Sequence, residues 1–446
     1  MTYFIRVLTN SPKKSTANPT TPTTPTTTMG CKNSTLAPNN TVATVIPPTV
    51  IPPTAHPGNP TPTHITLLPD TNRTLATIAT QLCAPFQNSK EDQEKRPVGA
   101  VCALLTSTHP GEGRQAPLLS LKIGCAGVRQ SGTSNPVQQD DTFHLGSCTK
   151  AMTATLTAML IQQGKIPDGY DTTIKQVCFG HFKYNASYGN ITLRELLTHT
   201  GLLTTSTSSA NWTLAWTLTT SNKTYQQQRS AFLAAVMASP PPSTALGRYE
   251  YSNQGYTLVG HMLELITGVE YETLLADHLF VPLGMSSAGI GPVGCTSNVP
   301  NVSKVPWGHG LQSGWAPKDP RIPGADNPCC ITPAGRVHAS ISDWAKFIGV
   351  HMDPLYCQTM LGIGVETFKA MHVKHEPSTG AYCLAGFTVC DRQWQRGTLC
   401  LHHSGSNTLN FCSVWLTKGA ASLVMTNHGG CAERVDQAHG KLVGCF

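Results

Sequence analysis

Three short stretches of the chain bring together residue types that could perform acyl transfer. The first is Ser147-Cys148-Thr149-Lys150. A serine hydroxyl is a poor nucleophile until a neighbouring base takes its proton, and lysine can be that base when desolvation or nearby cations keep it neutral. Spaced i, i+3 at the start of a helix, Ser147 and Lys150 project from one face within hydrogen-bonding reach. The first turn also carries unsatisfied N–H groups and positive dipole, which suit a developing alkoxide and a tetrahedral oxyanion. The motif needs company, because Ser11 and Lys14 share its spacing inside a Thr/Pro tract where it has no chemical meaning. Alone, Ser147 reads as an N-cap serine and Lys150 as a solvated cation.

The second stretch is Tyr251-Ser252-Asn253. A phenol near a cation can shuttle a proton, and an asparagine amide can donate to a substrate carbonyl while orienting the lysine. Tyr188-Gly189-Asn190 has the same spacing and reads as a turn, whereas Tyr251 precedes an amphipathic helix pattern over Tyr256–Ile266. The third stretch is His403-Ser404-Gly405. It closes an alternating run (Leu399, Leu401, His403), which places His403 near the C-terminal end of a strand and His402 on its opposite side. The small Ser404 and the bare Gly405 would let a substrate backbone lie along that strand edge, and the Ser406 N–H could serve as an oxyanion donor. Taken singly, Tyr251 is also a helix-start aromatic and His403 a packed strand histidine.

The elements that must position these groups follow from periodicity. Strand-like runs cover Pro97–Ser107 and Pro117–Val128, and a helix is expected over Ser147–Gln163 with Met152, Leu156, Met159 and Leu160 on one face. Helices are expected at Leu193–Leu197, Tyr256–Thr267, Tyr271–Leu279 and Ile341–Met352. Strands are expected at Ala381–Val389, Gly397–His403, Phe411–Leu416 and Ala421–Thr426, and a helical stretch closes the chain. Strands at both ends around a helical block predict an α+β fold. In it, both ends of the domain build one antiparallel sheet flanked by helices, with a mainly helical lobe inserted over about residues 165–345. Residues 1–65, rich in Thr and Pro, read as a disordered stalk, and 66–446 as the folded domain.

Composition narrows the class. Of 446 residues, 39% are hydrophobic, enough for a packed core, and only 12% are charged, so Ser, Thr and Asn must wet the surface. The net charge of +7 (31 basic against 24 acidic residues) is spread without a basic block, which argues against a nucleic-acid partner. No apolar run approaches the roughly 18 residues that span a bilayer. The 16 cysteines lack metal-binding spacing and read as disulfides, most of all among the seven from Cys357 to Cys445. With the N-x-S/T acceptors at Asn33, Asn39, Asn72, Asn185, Asn190, Asn211, Asn222 and Asn301 they favour a secreted or lumenal glycoprotein. Against this, Met1–Leu8 is short and broken by Arg6, so no signal peptide is visible. Either the true start lies upstream or the export reading fails.

In order, the three motifs resemble those of the serine β-lactamase/penicillin-binding protein superfamily, and specifically its class C-like branch of β-lactamases, DD-peptidases and esterases. The surroundings resemble it too. Asp141–Thr153 is similar to the segment around the family's nucleophile and Ile191–Gly201 to its "L-L-T-H-T-S-G" stretch. Gly247–Tyr256, Leu279–Met285 and Pro333–Phe347 match in the same order. The resemblance implies Ser147 as acylated nucleophile, Lys150 and Tyr251 as proton-transfer groups, and Asn253 on the substrate amide. It also implies that His403, Ser404 and Gly405 form the third motif, with the main-chain N–H groups of Ser147 and Ser406 as oxyanion hole and no metal or cofactor. Where class C β-lactamases carry Lys and Thr, this chain has His403 and Ser404, which weakens recognition of a β-lactam carboxylate. The expectation is a serine hydrolase acting on a small ester, amide or peptide, esterase- or peptidase-like rather than a true β-lactamase. Asn407, often glycine in the family, would narrow the site, and Cys148 would face the core. The rival expectation is a non-catalytic binding or structural protein that keeps the fold. An α/β-hydrolase would need a G-x-S-x-G elbow, which the chain lacks. Oligomeric state is not legible.

Overall fold

The run Ala100-Val-Cys-Ala-Leu-Leu105 is apolar at every position because both faces of its strand are covered, as the computed structural model shows. Described are residues 65–446 except 72, 85–94, 109–117, 204–207, 242–246, 296–301, 311–313, 376–380 and 391–399. The expected stalk, apart from Ile65, lies outside the described residues. In chain order the strands are β1 (Thr66–Leu67), β2 (Gly99–Thr108), β3 (Leu118–Gly127), β4 (Thr142–His144), β5 (Gly289–Ile290) and β6 (Gly308–His309). They continue as β7 (Pro317–Lys318), β8 (Val337–Ser340), β9 (Thr388–Cys390), β10 (Cys400–Ser406), β11 (Phe411–Thr417) and β12 (Ala420–Thr426). Seven of them form one sheet in the order β1-β3-β2-β12-β11-β10-β9, antiparallel throughout except for β1 against β3. At its centre β2 pairs with β12, from Ala100 opposite Thr426 to Thr106 opposite Ala420, so the two ends of the domain close one sheet. The expected α+β architecture is the one observed.

Five helices matter for the argument: α1 (Thr74–Cys83), α2 (Thr149–Gln162), α3 (Asn253–Thr267), α4 (Ile341–Met352) and α5 (Ala432–Val443). Alternation along β2 sorts its side chains between two cores. Ala100, Cys102 and Leu104 pack with Leu75 and Leu82 of α1 and Val435 and Leu442 of α5. Val101, Ala103 and Leu105 join the larger core that includes α2 and α4. Between β4 and β8 the described chain is helix and loop with only three two-residue strands. Among the described residues no helix is long and apolar enough to cross a membrane.

Two expectations are corrected here. Helix α2 was expected to bury one face, yet every residue from Thr149 to Leu160 is buried. The polar positions that mimicked a solvent face are threonines with hydrogen-bond partners in the core, Thr153 Oγ1 on the Pro333 carbonyl at 2.6 Å among them. Thr155 Oγ1 donates to the Ala151 carbonyl at 2.8 Å and Thr157 Oγ1 to Thr153 at 2.9 Å. The second correction concerns the cysteines. Cys357, Cys383, Cys412, Cys431 and Cys445, five of the seven expected to be bridged, are free thiols. Cys357 in the helix Pro354–Leu361, Cys412 in β11, and Cys383 and Cys431 between elements are all buried as small apolar groups. Burial pushes the thiols of Cys357 and Cys431 up to about 12. Cys390 and Cys400 do stand opposite each other across β9 and β10.

Candidate active site

The nucleophile turn forms where β4 runs into α2. Leu145 and Gly146 bend the chain, Gly146 at φ +50°, and a single turn of tighter helix over Gly146–Cys148 leads into α2. The turn is pressed against β10. A β-carbon on Gly146 would sit 2.4 Å from the Ser406 nitrogen, and one on Gly405 would sit 1.9 Å from the Leu145 oxygen and 2.8 Å from the Ser147 nitrogen. Only hydrogen at both positions lets the two backbones approach this closely. Gly405→Ala is expected to destabilise the fold by about 3 kcal/mol, since backbone rather than a flexible side chain must yield. A denaturant midpoint that does not move would contradict this packing.

Ser147 stays half-buried amid an otherwise buried turn, while Lys150 is fully buried. The Lys150 Nζ lies 3.0 Å from Ser147 Oγ, 2.8 Å from Asn253 Oδ1 and 2.8 Å from the Ala334 carbonyl oxygen. Burial holds this ammonium well below its usual value of 10.5, against a smaller opposing pull from Cys148. A neutral amine has two N–H bonds and one lone pair. With Asn253 Oδ1 and the Ala334 oxygen accepting those N–H bonds, the lone pair is left facing the Ser147 hydroxyl. Asn253 is held by the start of α3, where Ser252 caps the helix by accepting the Gly255 N–H at 3.0 Å.

Tyr251 lies under the lysine, with Nζ 4.7 Å from its ring centre. Burial raises its phenol, and a hydrogen bond with Ser147 pulls it partly back. The phenol is therefore protonated at neutral pH and can act as an acid. Its ring belongs to an aromatic group around His199, which stands 4.4 Å from Tyr251, 5.1 Å from Tyr256 and 4.6 Å from Tyr382, centre to centre. The His199 Nδ1 accepts the Ser252 N–H at 3.0 Å, fixing the loop that carries Tyr251. Burial holds His199 well below its usual value of 6.5, so it is neutral.

The third motif lies in β10 and not after it. The strand runs on past His403 to Ser406, and residues 397–399 of the expected run lie outside the described residues. The His403 ring is buried, with Nδ1 donating to the Ser404 carbonyl at 2.7 Å and Nε2 at 2.8 Å from the Tyr382 hydroxyl. Both nitrogens thus have partners within the protein. His402 does lie on the opposite side, stacked on Trp415 at 3.9 Å. Strand β9 pairs β10 only from Cys400 to His402, so among the described residues the Ser404–Ser406 edge is paired on its β11 side alone. The Ser406 hydroxyl accepts the Thr408 N–H at 2.9 Å. Cys148 faces the core, as expected.

Ser147, Lys150, Tyr251 and Asn253 are thus joined by direct contacts, and the Ser404–Gly405–Ser406 backbone abuts the nucleophile turn. Sequence reasoning assigned no role to His199, Tyr382 or the Ala334 carbonyl. His199 lay within a stretch already noted for resemblance, but nothing in the sequence marked Tyr382.

Comparisons with known proteins bear on this geometry. A family model described as Beta-lactamase matches residues 112–439. The chain is similar to penicillin-binding protein 4 of Amycolatopsis lactamdurans, 28% identical over 233 residues, which cover 51% of this chain and 55% of that protein. It is also similar to the unguisins hydrolase ungD of Aspergillus violaceofuscus, 24% identical over 250 residues, covering 51% of this chain and 39% of that one. The chain thus spans about half the length, or less, of these curated relatives. Among solved structures, a class C β-lactamase from Rhodobacter sphaeroides superposes with a TM-score of 0.60 at 16% identity, over 84% of this chain and 99% of that one, which shows a shared fold.

Proposed function

The chain belongs to the Beta-lactamase family, and on that footing we propose that it is a serine hydrolase cleaving a small ester or amide through an acyl-enzyme on Ser147. The observation that carries the reading is the buried Lys150 Nζ, 3.0 Å from a half-buried Ser147 Oγ. In this reading Ser147 Oγ attacks the substrate carbonyl as its proton passes to Lys150. The N–H groups of Ser147 and Ser406 receive the oxyanion. Tyr251 gives its proton to the leaving alcohol or amine and is reprotonated from Lys150, leaving the acyl-enzyme. Water then attacks the acyl carbon, and its proton passes through the same pair to Ser147 Oγ as the acyl C–O bond breaks and the acid leaves. Asn253 holds the amine and contributes to the substrate amide. His403 acts on the strand edge through the Ser404 carbonyl, and the substrate main chain lies along Ser404–Ser406.

With both nitrogens of His403 engaged, the third motif presents no free cation to a carboxylate, which supports an esterase- or peptidase-like preference over β-lactam hydrolysis. Esters of p-nitrophenol or D-alanyl peptides should be turned over faster than a chromogenic cephalosporin. A fluorophosphonate probe should form one adduct, mapped to Ser147 by peptide mass; an unlabelled Ser147 would sink the proposal. The proposal extends to a secreted or lumenal location, supported by the exposed acceptors Asn190 and Asn222. The protein from its native source should then lose mass on enzymatic removal of N-glycans, and an unchanged mass removes this part.

A further inference from the structure

Behind the nucleophile turn, away from the proton-transfer groups, sits a buried polar chain that the proposed chemistry does not use. His144, the last residue of β4, is only 1% exposed, and Asp326 and Arg336 are 8% and 4% exposed. The Gly146 N–H donates to His144 Nδ1 at 3.0 Å, which requires the ring proton on Nε2, and Nε2 lies 2.6 Å from Asp326 Oδ1. The other oxygen, Oδ2, accepts Arg336 Nε at 2.9 Å. The next residue along, Asn327, donates its backbone N–H to Asp326 Oδ1 at 2.6 Å and its side-chain amide to the Gly335 carbonyl at 2.7 Å. Gly335 follows Ala334, whose carbonyl holds Lys150. One carboxylate therefore connects the peptide before Ser147 with the peptide beside the lysine's acceptor.

Resting on the acyl-transfer reading above, we propose that His144 and Asp326 are positioning residues: His144 fixes the Gly146–Ser147 peptide that aims the nucleophile and its oxyanion N–H, and Asp326 ties that peptide to the Ala334 carbonyl that orients Lys150. A buried ion pair that served stability alone would have no need of an acceptor on the Gly146 N–H. The chain Arg336–Asp326–His144 ends on that N–H. Arg336 and His144 hold the Asp326 carboxyl below its usual range despite burial, which keeps the acceptor charged.

Two substitutions separate the two halves of the imidazole. His144→Asn keeps an acceptor oxygen at the place of Nδ1 and loses the reach to Asp326. His144→Gln keeps a donor amide at the place of Nε2 and loses the acceptor for Gly146. The readout is the rate of fluorophosphonate labelling at Ser147, with kcat and KM on a p-nitrophenyl ester and the near-ultraviolet circular dichroism melt of each variant. His144→Gln and the near-isosteric Asp326→Asn should slow labelling and lower kcat by about 10- to 100-fold with KM within about twofold, the size of effect that a misplacement near 1 Å produces. His144→Asn should retain more of the labelling rate than His144→Gln. Folded variants that label at the wild-type rate overturn the inference, and so does an equal fall in both His144 variants that tracks their loss of melting temperature. If a His144 variant does not fold, Asp326→Asn decides alone. A wild-type protein that does not label at all removes the nucleophile reading together with this one, a result distinct from either of the others.

Discussion

Ser147→Ala is expected to lower ester and amide hydrolysis by on the order of 10⁴-fold or more, the largest single effect at the site. The reasoning is geometric. The hydroxyl is the one nucleophilic atom that touches both the amine of Lys150 and, by a hydrogen bond, the phenol of Tyr251. With it gone, water would have to attack unaided by an acyl-enzyme, and only the oxyanion hole and binding would remain. The fall should be in kcat, with KM little changed, because the alanine removes no contact made to the ground-state substrate. Folding should be nearly unaffected: Ser147 is half-buried, and the turn is held by the Gly146 N–H on His144 and by the close packing of Gly405. A folded Ser147→Ala protein that retained more than about a hundredth of the wild-type rate would contradict acylation at this residue.

Legibility divides along the range over which each signal acts. Strands β2, β3, β11 and β12 fall within a residue or two of the expected runs, and α4 coincides with its expected span. There the pattern of apolar positions reports directly on which faces are covered. Helix α2 shows the limit of that signal. Its threonines imitate a wet face, although Thr155 and Thr157 donate to carbonyls of their own helix, Thr153 donates to the Pro333 carbonyl, and every residue from Thr149 to Leu160 lies in the core. The candidate-site residues were legible because their spacing is local or their motif familiar, as with Ser147 and Lys150 one turn apart. The groups that hold them were not. His144 and Asp326 are 182 residues apart in the chain, and Tyr382 and His403 are 21 residues apart. The cysteines show another limit: composition cannot distinguish a bridged thiol from one buried as a small apolar side chain, and the core takes Cys357, Cys383, Cys412 and Cys431 as the latter.

Lys150→Met should abolish most of the remaining chemistry and, at neutral pH, make the protein more stable. Loss of the base leaves the Ser147 hydroxyl facing apolar carbon, so hydrolysis should fall by about 10³-fold or more. The stability effect follows from protonation. Burial holds Lys150 well below 10.5 in the folded protein, whereas in the unfolded chain it titrates at about that value. Between the depressed folded value and 10.5 the unfolded state therefore binds one proton more than the folded state. Over that window stability rises with pH, by up to about 1.4 kcal/mol per pH unit from this one group. Methionine carries no proton in either state, so the variant loses that slope and gains most where the unfolded lysine is fully protonated. The same titration governs rate. The amine acts as a base only when neutral, so kcat/KM should rise with pH through the folded-state value and be flat well before 10.5. Denaturant unfolding of both proteins at several pH values between about 7 and 9, each in a Cys148→Ala background because Lys150 helps to hold that thiol down at about 6, isolates the lysine, since the depressed histidines titrate lower. Parallel stability curves would mean that Lys150 is charged in the fold. In that case it could not take the Ser147 proton, and the burial that makes it a base would have to be given up as the explanation of the site.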